Sequence, residues 1–165
     1  MRWLWLILLL SGVAVAVPAL EQATDPDGRT AAETASAVST PPMRDVRIAA
    51  DDRGHFGVRA VIAGRDFLMI ADTGASVVVL TEADARRAGF NPASLAYDVP
   101  VSTANGTAYA AEVSIARMEV EHIVVRDVRA LVAKPEALQR SLLGMTFLGR
   151  LREFSVKNGQ LVLVD

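Results

Sequence analysis

Residues 67–80, Phe67-Leu68-Met69-Ile70-Ala71-Asp72-Thr73-Gly74-Ala75-Ser76-Val77-Val78-Val79-Leu80, place one carboxylate on a short polar turn between two apolar runs. The entering run, FLMIA, and the leaving run, VVVL, have the aliphatic and β-branched composition of buried strands. Thr73 and Ser76 offer hydroxyls, and Gly74 lets the backbone approach closely. A carboxylate at the end of a buried strand must find hydrogen-bond donors nearby, because an unsatisfied buried charge is too costly. Asp72 is therefore either an ordinary turn residue or a held, reactive group, and the surrounding sequence has to decide between them.

Outward from this stretch the dominant signal is short β-type runs separated by turn residues: HFGVRAVIA, AYAAEVSI, HIVV, VRALVA and the closing GQLVLVD. Turns are expected at Ala63-Gly64-Arg65-Asp66, Asn105-Gly106 and Asn158-Gly159, the Asn-Gly pairs being the strongest hairpin dipeptides. Thr81 to Gly89 reads as a short helix, with Thr81 as its cap, Asp84 three residues on, and Gly at its end. Pro135-Glu136-Ala137-Leu138-Gln139 predicts a short helical turn with Pro in its first turn. The folded part, residues 43–165, is thus expected to be all-β with one or two short helices, a small barrel or sandwich.

The N-terminus, MRWLWLILLLSGVAVAVPAL, carries Arg2 and then an uncharged apolar run from Trp3 to Leu20, about the minimum that spans a bilayer as a helix. Residues 1–20 are expected to be a membrane anchor or, with Ala14-Val15-Ala16 as a cleavage pattern, a signal peptide. Either places the remainder outside the cytoplasm, on the periplasmic side if anchored in an inner membrane. Residues 21–42, small, polar and proline-bearing, read as a flexible tether.

Composition removes several classes of function. The 165 residues have a net charge of −2 and no Lys/Arg cluster, so no nucleic-acid partner is expected. With no cysteine, a disulfide framework, a thiolate nucleophile and a Cys-ligated zinc site are excluded. His55 and His122 are the only histidines, and without an HExxH pattern they read as surface or edge-strand residues, so neither a metal nor another cofactor is expected. There is no G-x-S-x-G around Ser76 and no phosphate-binding glycine pattern. Asp72 is the candidate that is left.

FLMIADTGAS, the run VVVL with its short helix, the polar hairpin STANGTAYAAEV, and SLLGMTFLGRL followed by FSVKNGQLVLVD together resemble the retroviral-type, retropepsin-like aspartic proteases, in particular the bacterial branch with an N-terminal membrane segment. The resemblance covers residues 43–165. It implies a small closed β-barrel, one lobe per chain, with Asp72 as the catalytic aspartate. Thr73, Gly74, Ala75 and Ser76 would support the active-site loop. Asn105 and Gly106 would lie in the flap that covers bound peptide, while Leu143 and Gly144 would brace the loop from behind. Aspartic proteolysis needs two carboxylates sharing one proton, and this chain has one Asp-Thr-Gly. The implied partner is a second copy, in a homodimer acting on polypeptide substrate, and Leu161-Val162-Leu163-Val164 is a candidate for the strand that joins the copies. A non-catalytic peptide-binding module on the same fold, or an exported structural β domain, are the alternatives.

Overall fold

The computed structural model describes residues 45–103 and 106–165, all within a compact unit formed by Ser39–Asp165. The expected anchor at 1–20, the tether at 21–42 and Asn105 lie outside the described residues. Among the described residues the strands are β1 (Asp45–Ala49), β2 (Gly57–Ile62), β3 (Arg65–Ala71), β4 (Val78–Leu80), β5 (Val99–Thr103), β6 (Gly106–Val120), β7 (Ile123–Ala133), β8 (Leu142–Leu143), β9 (Glu153–Lys157) and β10 (Gln160–Val164). Two short helices, α1 (Glu82–Arg87) and α2 (Met145–Leu148), and a 3₁₀ turn at Pro92–Ser94 complete the set.

Local chemistry accounts for most of these elements. β3 alternates, with Phe67 and Met69 at 0% exposure and Leu68 at 60%, the period-2 pattern of a strand with one face in the core. The β2–β3 hairpin turns through Ala63 and Gly64, and the β9–β10 hairpin through Asn158 and Gly159, all four residues with positive φ. Two consecutive left-handed residues give the turn whose twist matches that of the paired strands. Helix α1 begins where the Thr81 hydroxyl accepts the Asp84 N–H, and the chain leaves it through Gly89 at φ +97°. The helical turn expected over Pro135–Gln139 does not form. Glu136 sits at φ +64°, and the bond from Ala137 N–H to Lys134 C=O closes a simple turn instead.

The strands fall into two sheets. β1, β10 and β9 form an antiparallel three-stranded sheet, and the other seven run in the order β2-β3-β8-β4-β7-β6-β5. The expected closed barrel is therefore corrected: the fold is mostly β with short helices, but its strands do not close into a single barrel. The 15-residue β6 is long enough to pair with β7 along its length and with β5 at its start. It meets β2 only at Val61↔Glu119 and Ile62↔Met118, while β5 stays outside as an edge. The buried core is continuous, with Phe67, Met69, Leu80, Met118, Leu143, Phe147 and Leu163 essentially inaccessible.

The pairing that matters for the site is the smallest. β8, two residues long, runs parallel to β3 (Ile70↔Leu142, Ala71↔Leu143) and antiparallel to β4 (Val79↔Leu142). It is wedged between the strand that enters the Asp72 turn and the strand that leaves it. Strand β10 is bonded on both edges, to β1 and to β9, with Leu161 to Val164 all buried. A strand with both edges taken has no backbone groups to offer a second copy, which corrects the reading of Leu161–Val164 as a joining strand.

Candidate active site

The turn at Asp72 is fixed by backbone bonds at both ends. Asp72 N–H donates to Leu143 C=O at 3.1 Å, and Met145 N–H donates to Ala75 C=O at 2.9 Å. Within the turn, Ala75 N–H reaches Asp72 C=O at 3.2 Å. The partly exposed Asp72 carboxylate accepts the Gly74 N–H through Oδ1 at 2.8 Å. A Cβ on Gly74 would lie 3.2 Å from that oxygen, close enough to crowd it. On Gly144 a Cβ would fall 2.1 Å from Val77 O and 2.7 Å from Ala75 O, so only glycine lets β8 and the turn touch.

Of the other residues singled out from the sequence, Leu143 is fully buried under the turn, and Thr73 and Ser76 are exposed with no side-chain hydrogen bond among the described residues. Gly106 opens β6 at φ +107°, and its C=O accepts the Thr103 hydroxyl at 2.7 Å. His122 lies exposed in the β6–β7 turn, away from Asp72.

Two hydroxyls that sequence reasoning passed over carry the polar bracing. Thr146 Oγ1 accepts the Val78 N–H at 2.9 Å and donates to Arg129 C=O at 2.7 Å, tying α2 to β4 and β7. Ser141, at 0% exposure, donates to Asp84 Oδ2 at 2.6 Å and accepts the Thr81 N–H at 3.0 Å. Its C=O accepts the Ile70 N–H at 2.9 Å, two residues before Asp72. Asp84 also pairs with Arg87 at 2.9 Å, and the Arg87 guanidinium lies 4.6 Å above the Phe67 ring. Helix α1, β3 and the approach to β8 are thereby joined in one network. Ser and Thr are common everywhere, so no local signal marks these two.

Asp72 opens into a groove of about 740 Å³. Ile70, Ala71 and Leu142 line it beside Asp72, and the segments that lead into β2 and β8, the two neighbours of β3, flank it. The first contributes Asp51, Asp52, Arg53 and His55, the second Leu138, Gln139 and Arg140. Asp51 Oδ1 accepts the N–H groups of His55 and Arg53 at 2.8 and 2.9 Å. These bonds, the one from His55 foremost, hold the Asp51 carboxyl below its ordinary range. Among the described residues no three His, Asp or Glu side chains gather as metal ligands.

The model of the family described as "gag-polyprotein putative aspartyl protease" matches residues 58–150, more than half of the chain and all of the turn, β8 and α2. The chain belongs to the retropepsin-like aspartic proteases. That membership puts it in a class of aspartic-type endopeptidases. The crystal structure of a retropepsin-like aspartic protease from Rickettsia conorii superposes with a TM-score of 0.68 at 30% identity, covering 74% of this chain and 91% of that one. An uncharacterised protein from the cobV 5′ region of a Sinorhizobium species is 42% identical over 68% of this chain and 48% of its own length. An uncharacterised protein of Rickettsia prowazekii (strain Madrid E) is 33% identical over 72% of this chain and 51% of its own. The chain thus spans about half the length of the curated relatives it matches.

Family membership does not carry the expected membrane segment with it. No helix among the described residues is long and apolar enough to cross a membrane, and residues 3–20 lie outside them. The expected anchor as a membrane partner, and the periplasmic-side placement built on it, therefore find no support among the described residues. The structure is of a single chain and gives the expected homodimer no support of its own.

Proposed function

We propose that this retropepsin-like chain hydrolyses peptide bonds in extended polypeptide, with Asp72 as its catalytic carboxylate. The observation that carries the reading is the mounting of Asp72: a carboxylate bonded to the Gly74 N–H, on a turn fixed at both ends to β8 and α2, opening into a groove large enough for a peptide. Gly74 and Ala75 shape the turn, Thr73 and Ser76 present hydroxyls beside it, and Leu143 and Gly144 brace it. The β5–β6 hairpin, whose connecting sequence includes Asn105 and Gly106, covers the substrate.

The chemistry calls for two carboxylates, one taking a proton from water as it attacks while the other polarises the scissile carbonyl. Among the described residues no second carboxylate has the mounting of Asp72: Asp51 and Asp52 line the same groove, but neither stands on an Asp-Thr-Gly turn, and Asp51 is taken up by the backbone N–H groups of Arg53 and His55. Asp84 is committed to Ser141 and Arg87, while Asp98 and Asp127 lie on other segments and do not line the groove. The second carboxylate in this reading is Asp72 of another copy, meeting the first across a twofold axis.

Mixing wild-type chain with the Asp72→Asn variant at fixed total concentration tests this. After subunit exchange, cleavage of a peptide should fall as the square of the wild-type fraction, because mixed pairs hold one carboxylate. A fall in simple proportion to that fraction would rule out the shared site.

A further inference from the structure

The two segments that flank the groove carry charge in different ways. On the β2 side charges of both signs stand together: the Asp51 carboxylate accepts the backbone N–H groups of Arg53 and His55, lies 3.7 Å from His55 Nδ1 and has the Arg53 cation near it, with Asp52 between them in sequence. On the β8 side there is a single charge, Arg140, exposed and with no side-chain hydrogen bond or ion pair among the described residues. Most other arginines differ, and Arg53 across the groove has Asp51 and Asp52 beside it. Arg86, Arg87, Arg117 and Arg129 each hold a carboxylate, and Arg65 and Arg150 bind backbone carbonyls.

Although its side chain is unpartnered, the base of Arg140 is among the best fixed points in the fold. The next residue is the fully buried Ser141, bonded through its hydroxyl to Asp84 and Thr81 and through its C=O to Ile70. The position of Arg140 relative to Asp72 is therefore set, while its guanidinium is free to meet what enters the groove. Leu138, Leu142 and Ile70 line the same space and offer apolar surface to the stem of a bound side chain.

We propose that Arg140 is a specificity-determining residue, which selects an acidic side chain near the bond to be cut in an extended polypeptide. A guanidinium matches a carboxylate with two parallel hydrogen bonds, and a peptide lying over it removes competing water. A neutral side chain at the same place would cover the cation without pairing it. On the β2 side Asp51 and Asp52 offset the Arg53 cation, so no net positive charge awaits an acidic side chain there and the preference belongs to the position that meets Arg140.

This inference rests on the peptidase reading, and the test separates the two. Matched peptides carrying Glu, Gln or Lys at each position around a cleavable bond are compared for wild type, Arg140→Ala and Arg140→Glu, with Asp72→Asn as control. Wild type should favour Glu over Gln in kcat/KM at one position by about tenfold, the scale of one charge-assisted pair at a partly open site. Arg140→Ala should bring that ratio to about one, and Arg140→Glu should turn the preference toward Lys. Thermal denaturation of each variant verifies that the fold is intact. Cleavage that depends on Asp72 but shows no acidic preference, or a preference that survives Arg140→Ala, overturns the specificity assignment and leaves the peptidase reading standing. Absence of cleavage from every peptide, or equal cleavage by Asp72→Asn, defeats the peptidase reading and this inference with it.

Discussion

The turn that carries Asp72 and the hairpin of β5 and β6 are anchored in the same seven-stranded sheet, and they are held in opposite ways. The turn is bonded at both ends to residues about 70 positions away in sequence, Leu143 and Met145, and rests on a glycine with no room for a methyl group. The hairpin is held by its own ladder, from Val99↔Ala110 to Thr103↔Gly106, and by a small apolar cluster at its base, Val77, Ala110 and Leu131. Its outer part is exposed, Tyr109 at 49%. The difference assigns rigidity to the turn and greater freedom to the hairpin, which covers the substrate in the proposed function, since a segment held by local bonds and few buried contacts opens at lower cost.

Substitutions can break this contrast. The largest effect is expected from Gly144→Ala, whose methyl would overlap Val77 O. Either the turn or β8 must move, at about 3 kcal/mol or more. Urea denaturation should show a cooperative transition lost or moved far toward lower denaturant. Ser141→Ala comes next, because it leaves the Thr81 N–H without its acceptor and the Asp84 carboxylate with one donor fewer, at about 1–3 kcal/mol. A loss below about 0.5 kcal/mol in the same assay would show that the network does not brace the fold. Thr146→Val keeps the shape and removes the bridge from Val78 N–H to Arg129 C=O, for about 1 kcal/mol. Amide hydrogen exchange should speed up at Val78 first. In the hairpin, Tyr109→Ala should alter stability by no more than about 0.5 kcal/mol, and a drop comparable to that of Ser141→Ala would erase the proposed contrast.

The same contrast separates what the sequence displayed from what it hid. Local chemistry was legible: Asn158-Gly159 and Ala63-Gly64 turn their hairpins, Thr81 caps α1, and the apolar flanks of Asp72 are strands. Leu142-Leu143 is paired only with distant strands, so no window of sequence shows that it lies between β3 and β4. Ser141 and Thr146 gain their roles from the same long-range packing. The division into two sheets in place of one closed barrel was missed because an alternating pattern does not specify which strands pair, so nothing in β1, β9 and β10 marks them as separate from the other seven. Over Pro135–Gln139 a helical start signal was overridden by the left-handed Glu136. Arg140 and the loop 51–55 reach Asp72 from separate parts of the chain, so the groove had no signature although its carboxylate did.

The central claim is that Asp72 does chemistry while the turn is held by other groups. Asp72→Asn tests it directly, because an amide Oδ1 can still accept the Gly74 N–H and the backbone bonds to Leu143 and Met145 are untouched. The account predicts a thermal transition within a few degrees of wild type and peptide cleavage reduced by about 10²- to 10⁴-fold. Cleavage at the wild-type rate by a folded Asp72→Asn protein would contradict it.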